Sequence, residues 1–334
     1  MLEVRLHELS PVVDRFVIVE SPWTHSGKTK PLHFLNNLQQ FEPFLSQIDH
    51  VIVDDMPHNI DGDDLRWKYP ERPADVRRVF RQREAAWLSP TLWKTAREED
   101  LVIISDIDEI PRRDTVGIFR YCLPPNKDIP EWRSPTVVYS HFHYYSLKWE
   151  WYMNETIDWW RWGPTLTTFR DLMGHSPHLG IDATRWQYPP MEFGFLKHAG
   201  WAWHFSFFGS PDTILHKLRN TAASRFHDYE GVNETVITSA LREGRDVLQR
   251  SRVVPGNMLR RTKHRRLPDG SFDVSPSCKR GINNTDGDGH QVSDPERMLP
   301  RLLLDEPERF AHWLPDDDGP ADSSSRTQRP EAEL

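Results

Sequence analysis

Cysteine is nearly absent from this chain. Cys122 and Cys278 are the two in 334 residues, too few and too far apart for a disulfide framework or a zinc site built of cysteines. No run of about 18 apolar residues occurs, which excludes a helix crossing a membrane. The opening "MLEVRLHELSPVVDRF" carries Glu3, Arg5, His7 and Glu8 where a secretory leader would be apolar. Excess positive charge is missing too. The formal net charge is −8, and the last twenty residues, with six acids and two arginines, hold −4 of it. The body is close to neutral for its size, so bulk electrostatics give no footing for nucleic acid. No Walker spacing, internal repeat or long low-complexity tract is present. What remains is a globular chain large enough for a substantial core, with cytoplasmic location the expectation.

The positive signals begin with short β-branched runs, "RFVIVE" (15–20), "HVIVDD" (50–55) and "LVIISD" (101–106). Continuous apolar runs predict strands covered on both faces, as in a parallel sheet. Between the first two, Leu32, Leu35, Leu38, Phe41 and Leu45 recur at helical steps after Pro31. A second helix is predicted over 75–88. Alternating strands and helices give an α/β class with a mostly parallel sheet, and ligands then gather beyond the strands' carboxyl ends. Glu20, Asp54, Asp55, Asp106 and Asp108 all fall at that edge. From 132 to 208 the composition changes, and nine of the fourteen tryptophans lie there. Helices are expected at 210–223, with Ser210 and Pro211 as cap and first residue, and at 232–244, ending at Gly244. The division expected is a nucleotide-sugar-type α/β half at 1–130, an aromatic-rich half of the same domain at 131–314, and a disordered acidic tail at 315–334.

The segment "LVIISDIDEIP" drives Asp106, Asp108 and Glu109 together at a strand end. Clustered carboxylates repel and resist desolvation unless something positive sits among them. A hard divalent cation, Mg²⁺ or Mn²⁺, prefers such oxygen ligands and bridges to phosphate oxygens. Strand alternation would aim Asp106 and Asp108 at the ligand and Ile107 at the core. Pairing with Arg112 and Arg113 is the alternative that needs no ligand.

"SDIDEIP", together with "LEVRLHELSPVVDRFVIVES", "GKTKPLHF", "FRQRE", "HYYSLKW", "AGWAWHFSFFGSPDTILHKL" and "DYEG", resembles glycosyltransferase family 17, with the pieces in family order along the chain. The resemblance implies a GT-A-type, Rossmann-like fold, a UDP-N-acetylglucosamine donor and a divalent cation. It also implies that Asp106 and Asp108 hold the metal–diphosphate. A leaving diphosphate gathers negative charge, which a cation stabilises.

Other positions join this frame. His204 in "GWAWHFSFFG" is a candidate third metal ligand. Lys30, with Lys28 and the backbone at Gly27, is placed to meet phosphate, as is Arg83 of "FRQRE", and the strand-end acid Glu20 completes the donor-side set. An inverting transfer needs a base for the acceptor hydroxyl. Asp228 and Glu230 are the leading candidates, with Asp182 and Glu192 as rivals. Trp149, Trp201 and Trp203 are candidates for the acceptor sugar, since C–H faces of sugars pack on rings. A calcium-loop look-alike at 284–295 fails because Pro295 stands where glutamate is required.

Two rival functions share some of these residues. A haloacid-dehalogenase-like phosphatase also ends a strand in D-x-D, and a glycan-binding module without turnover would use the tryptophans alone. Relative to the family pattern, the chain opens without a leading strand, and a truncated start is the expectation.

Overall fold

The computed structural model describes residues 1–56, 74–122, 135–138, 140–153, 156–157, 163–174, 181, 202–221, 231–248, 257–261, 265–266, 272–273 and 299–313. Helix α1 (Leu2–Leu9) buries Val4, Leu6 and Leu9. Strand β1 (Phe16–Glu20) then pairs in parallel with β2 (Ile48–Ile52), Phe16 opposite Ile48 and Glu20 opposite Ile52. The link between them is not one long helix. It is a single α turn, α2 (His33–Asn36), followed by a 3₁₀ run at Leu38–Gln47 that contains Pro43. Proline offers no N–H and crowds the carbonyl four residues back, so an α-helix cannot run through it. As a result Phe34, Phe41 and Phe44 are buried with Leu6, Leu9, Phe16 and Val116, while Leu35 and Leu45 stay exposed.

Helix α3 (Ala74–Glu84) continues as a 3₁₀ turn at Ala85–Leu88, and Ser89 then caps α4 (Pro90–Thr95) by accepting from Leu92 N–H. Strand β3 (Leu101–Ile104) follows, and after a four-residue turn comes β4 (Glu109–Pro111). β3 does not join β1 and β2 in any described pairing. It lies antiparallel to β9 (Thr165–Thr168), whose other edge carries β5 (Thr136–Val137).

The largest sheet contains β6 (Ser140–Tyr144), β7 (Ser146–Met153), β10 (Ala202–Ser206) and β11 (Asn257–Arg261), in the order β11-β7-β6-β10-β4. Among the described residues only β1–β2 and β6–β10 are parallel pairs. The fold is mixed α/β with small sheets, and the expected mostly parallel sheet is not what these pairings build. The apolar runs misled because burial on both faces, not strand direction, is what makes a run continuous. Pro111 lies on β4, an edge strand, where its missing N–H costs no ladder bond.

Two layers cover this sheet. On one face Phe142, Tyr144, Trp149 and Trp151 meet Ile214, Leu215 and Leu218 of α6 (Pro211–Asn220), together with Ile237 and Ala240 of α7 (Glu234–Glu243). Both helices start as their sequences predict, with Ser210 accepting from Thr213 N–H and Asn233 from Val236 N–H. α7 stops at Gly244, which adopts the left-handed conformation at φ 66°. On the other face Ile110, Leu147, Trp203 and Phe205 meet Val4 of α1 and the segment 299–313, through Leu299, Leu302, Leu303, Phe310 and Trp313. The Glu8 carboxylate ties this layer together by accepting from Arg113 N–H at 2.9 Å and from Arg301 N–H at 3.1 Å. Among the described residues no helix is long and apolar enough to cross a membrane.

Candidate active site

Asp106 and Asp108 sit on the turn between β3 and β4, and Glu109 opens β4. Glu109 N–H donates to the Asp106 carbonyl at 3.1 Å, and Asp106 N–H donates to the Glu109 carboxylate at 3.1 Å. Arg5, reaching from α1, clamps the loop. Its guanidinium donates to the carbonyls of Glu109 (2.7 Å) and Asp106 (3.3 Å) and to Ser105 Oγ (2.7 Å). Phe205 N–H of β10 takes the Asp108 carbonyl at 2.8 Å. The tip residue Ile107 is therefore 51% exposed. The expectation that it points into the core assumed strand alternation, which a four-residue turn abolishes. Glu109, at 1% exposure, supports the loop from beneath.

Each aspartate meets a cation brought from a distant element. Arg83 of α3 donates to both Asp106 oxygens, Nη2 lying 3.0 Å from Oδ1 and 2.9 Å from Oδ2, with Nε 3.2 Å from Oδ1. Lys217 Nζ of α6 lies 2.9 Å from Asp108 Oδ2, and His204 Nε2 of β10 is 3.8 Å from Oδ1. Burial by itself would push the Asp108 carboxyl up, but Lys217 and His204 more than offset it and hold the group below the usual carboxylate range. The His204 ring is fixed by stacking on Phe142, 4.5 Å between centroids and 4° between planes. Arg113 turns away from the aspartates, donating to the carbonyls of His7 and Glu8, and Arg112 lies 5.7 Å over the ring of Trp203.

The loop 21–30 closes one side. It folds back on itself through Thr24 N–H to Lys28 O (2.7 Å), Gly27 N–H to Thr24 O (2.9 Å) and Lys30 N–H to Pro22 O (2.8 Å). Gly27 has φ 86°, and a Cβ there would stand 3.0 Å from the Arg78 guanidinium carbon. Arg78 donates to the His25 carbonyl at 2.8 Å, His25 Nε2 lies 3.1 Å from Gln82 Oε1, and Ser26 Oγ meets Asn220 Oδ1 at 2.9 Å. The loop is thus fastened to α3 and α6, the helices that supply Arg83 and Lys217. Burial lowers the proton affinity of His25, opposed by Gln82, and burial likewise lowers that of Lys30, opposed by Glu20.

The sequence-derived candidates divide. Asp106, Asp108, Arg83 and His204 are brought together, with Lys30 on the adjoining loop and Lys28 exposed on the same loop. Glu20 is turned elsewhere, accepting from Phe34 N–H (2.8 Å) and Leu35 N–H (3.3 Å) and meeting His50 Nε2 at 3.2 Å. Those partners give its carboxylate a structural place as the anchor of α2. Trp149 and Trp203 are core residues, 9% and 3% exposed. The Trp149 indole N–H donates to Leu241 O at 2.8 Å, so its ring is wedged between β7 and α7 and offers no face to a sugar. Trp201, Asp182, Glu192, Asp228 and Glu230 lie outside the described residues. Sequence reasoning missed Lys217, which the helical pattern of α6 shows only as one polar residue among several. Arg5 was missed for the same reason.

The model of glycosyltransferase family 17 matches residues 1–249, three quarters of the chain and all of the residues gathered at the turn. The chain belongs to glycosyltransferase family 17. Among curated relatives of this family-17 chain, a "beta-1,4-mannosyl-glycoprotein 4-beta-N-acetylglucosaminyltransferase" of Rattus norvegicus is 27% identical over 270 residues, 73% of this chain and 45% of that protein. Proteins of the same name from Homo sapiens and Mus musculus are 35% and 34% identical over 118 residues, 35% of this chain and 20% of each relative. The chain thus spans less than half the length of these relatives. No solved structure matches it significantly.

Proposed function

We propose that this family-17 chain is a metal-dependent inverting glycosyltransferase of GT-A type. It would move N-acetylglucosamine from UDP-N-acetylglucosamine to a hydroxyl of a glycan or glycoconjugate. The observation that carries the reading is the exposed turn on which Asp106 and Asp108 stand with Arg83 and Lys217 beside them. Residue types and exposure fit a hard divalent cation, Mn²⁺ or Mg²⁺. The Asp106 side chain is 41% exposed, and a carboxylate paired with an arginine still has lone pairs to offer. Asp106 and Asp108 would hold the ion, with His204 as a further donor next to Asp108. When bound, the ion would neutralise charge gathering on the departing diphosphate.

The chain's own residues have the remaining roles. Arg83 fixes the rotamer of Asp106. Lys217 keeps Asp108 ionised despite its burial. Lys30, on a loop pinned by Gly27 and His25, contributes a partly desolvated cation for phosphate oxygens. Asp228 or Glu230 is the proposed base for the acceptor hydroxyl. Membership of a glycosyltransferase family favours transfer over the phosphatase and binding-only readings.

The test is UDP release from a panel of UDP-sugars with Mn²⁺ or Mg²⁺, repeated with EDTA and with Asp106→Ala and Asp108→Ala. Release from UDP-N-acetylglucosamine that needs the metal and drops by about 10²-fold or more in either variant is expected. Equal release by the Asp106→Ala protein would overturn the reading.

A further inference from the structure

A second cluster of metal-type side chains lies on the face of the large sheet opposite His204. His141 and His143 are two residues apart on β6, so both project to one face. In the parallel pairing with β10 they stand beside Trp203 and Phe205, whereas His204 stands beside Phe142. Glu150 of the neighbouring β7 is directly opposite His143. All three are buried, at 5%, 0% and 4% exposure. Their ligand atoms lie within 4.8 Å of one another, the two imidazole centroids are 4.5 Å apart, and His141 Nε2 is 2.8 Å from Glu150 Oε1.

A buried carboxylate needs positive charge nearby, and one protonated histidine suffices for that. A pair of that kind accounts for His141 and Glu150. The second imidazole, wholly buried on the same face and beside the first, adds a further nitrogen donor to that pair. Two imidazoles and one carboxylate form the donor set that borderline divalent transition metals take, zinc foremost. Mg²⁺ prefers sets made mostly of oxygen, and here two of the three donors are nitrogen. We propose that His141, His143 and Glu150 bind one divalent transition-metal ion, Zn²⁺ in the first instance. The ion fastens β6 to β7 alongside Trp203 and Phe205 on the same sheet face, separate from the acidic turn.

The experiment measures metal in the purified full chain by mass spectrometry after incubation with Zn²⁺ and desalting. Wild type, Asp106→Asn, His143→Gln and Glu150→Gln are compared, with circular dichroism reporting the fold. About one zinc per chain is expected in wild type and Asp106→Asn, and less than about a tenth of that in the other two. Wild-type protein reloaded with Co²⁺ should show the visible absorption of a low-symmetry nitrogen–oxygen site, a readout that requires no variant to fold. Wild type that retains no zinc and gives no cobalt spectrum overturns the proposal. Zinc that persists in folded His143→Gln and Glu150→Gln overturns it equally.

Discussion

Arg83 grips Asp106 through both carboxylate oxygens, across 23 residues of sequence and from a different element. A planar guanidinium meets a carboxylate in this way and an ammonium does not. Arg83→Lys should therefore keep the charge and lose the geometry. The expected outcome is a fall of about 10-fold or more in kcat/KM for UDP release, with little change in Tm, since the pair is partly solvated. A variant with unchanged kinetics would show that the fork contact has no part in turnover.

Lys217 makes a separate prediction about pH. Burial raises the Asp108 carboxyl, and Lys217 with His204 brings it back below its ordinary value. A depressed carboxyl contributes stability and ionised population above its unfolded value, and both are lost as pH falls through the folded one. In Lys217→Met, burial acts with less opposition. The acid limb of the kcat/KM profile should move to higher pH, and a limb that stays in place would contradict the pairing.

His25 works in the other direction. Burial lowers its proton affinity, so the folded protein holds it neutral at pH values where the unfolded chain, near 6.5, already takes up a proton. The unfolded state binds more protons there, so stability falls as pH drops below that value towards the folded one. The drop in Tm between pH 7.5 and 5.5 should be smaller in His25→Gln than in wild type.

At Gly27 the backbone has φ 86° and the Arg78 guanidinium stands close to where a side chain would begin. Gly27→Ala should cost about 1–3 kcal/mol, the range for a non-glycine residue held in that region. It should also raise KM for the donor, because Arg78 must give way and its bond to the His25 carbonyl loosens. Urea denaturation and donor titration of the same preparation check both parts.

Arg5 offers the test furthest from the chemistry. It donates to two carbonyls and a hydroxyl of the acidic turn, and Arg5→Met leaves those acceptors without it. A loss of about 2–3 kcal/mol is expected from removing a charged donor in a partly buried site. The Mn²⁺ concentration needed for half-maximal activity should rise with it.

The parts of this molecule legible in its sequence were those fixed by near neighbours. Ser210 with Pro211 marks the start of one helix, and Gly244 the end of another, by chemistry that acts within four residues. The apolar runs around Val17 and Val51 mark strands that do pair in parallel. The acids at 106 and 108 could be recognised as a cluster. Lys217 could not, because it looks like a surface residue of its helix until the chain folds, and Arg83 was expected at phosphate with no sign that it grips Asp106. Ile107 was misplaced because a turn and a strand end read alike over four residues. Trp149 and Trp203, expected at an acceptor sugar, are buried in the core. An indole has one apolar body for a sugar or for a core, and only three-dimensional neighbours such as Leu241 decide between them.

Glu8 accepts from backbone groups 105 and 293 residues further along the chain, at Arg113 and at Arg301. Residues 299–313 lie past the family-matched stretch, yet they cover Ile110, the neighbour of Glu109 on the strand beneath the acidic turn. An expression boundary drawn where homology stops would saw through the floor under Asp106 and Asp108. A fragment ending at 249 would be expected to aggregate by the face it had lost.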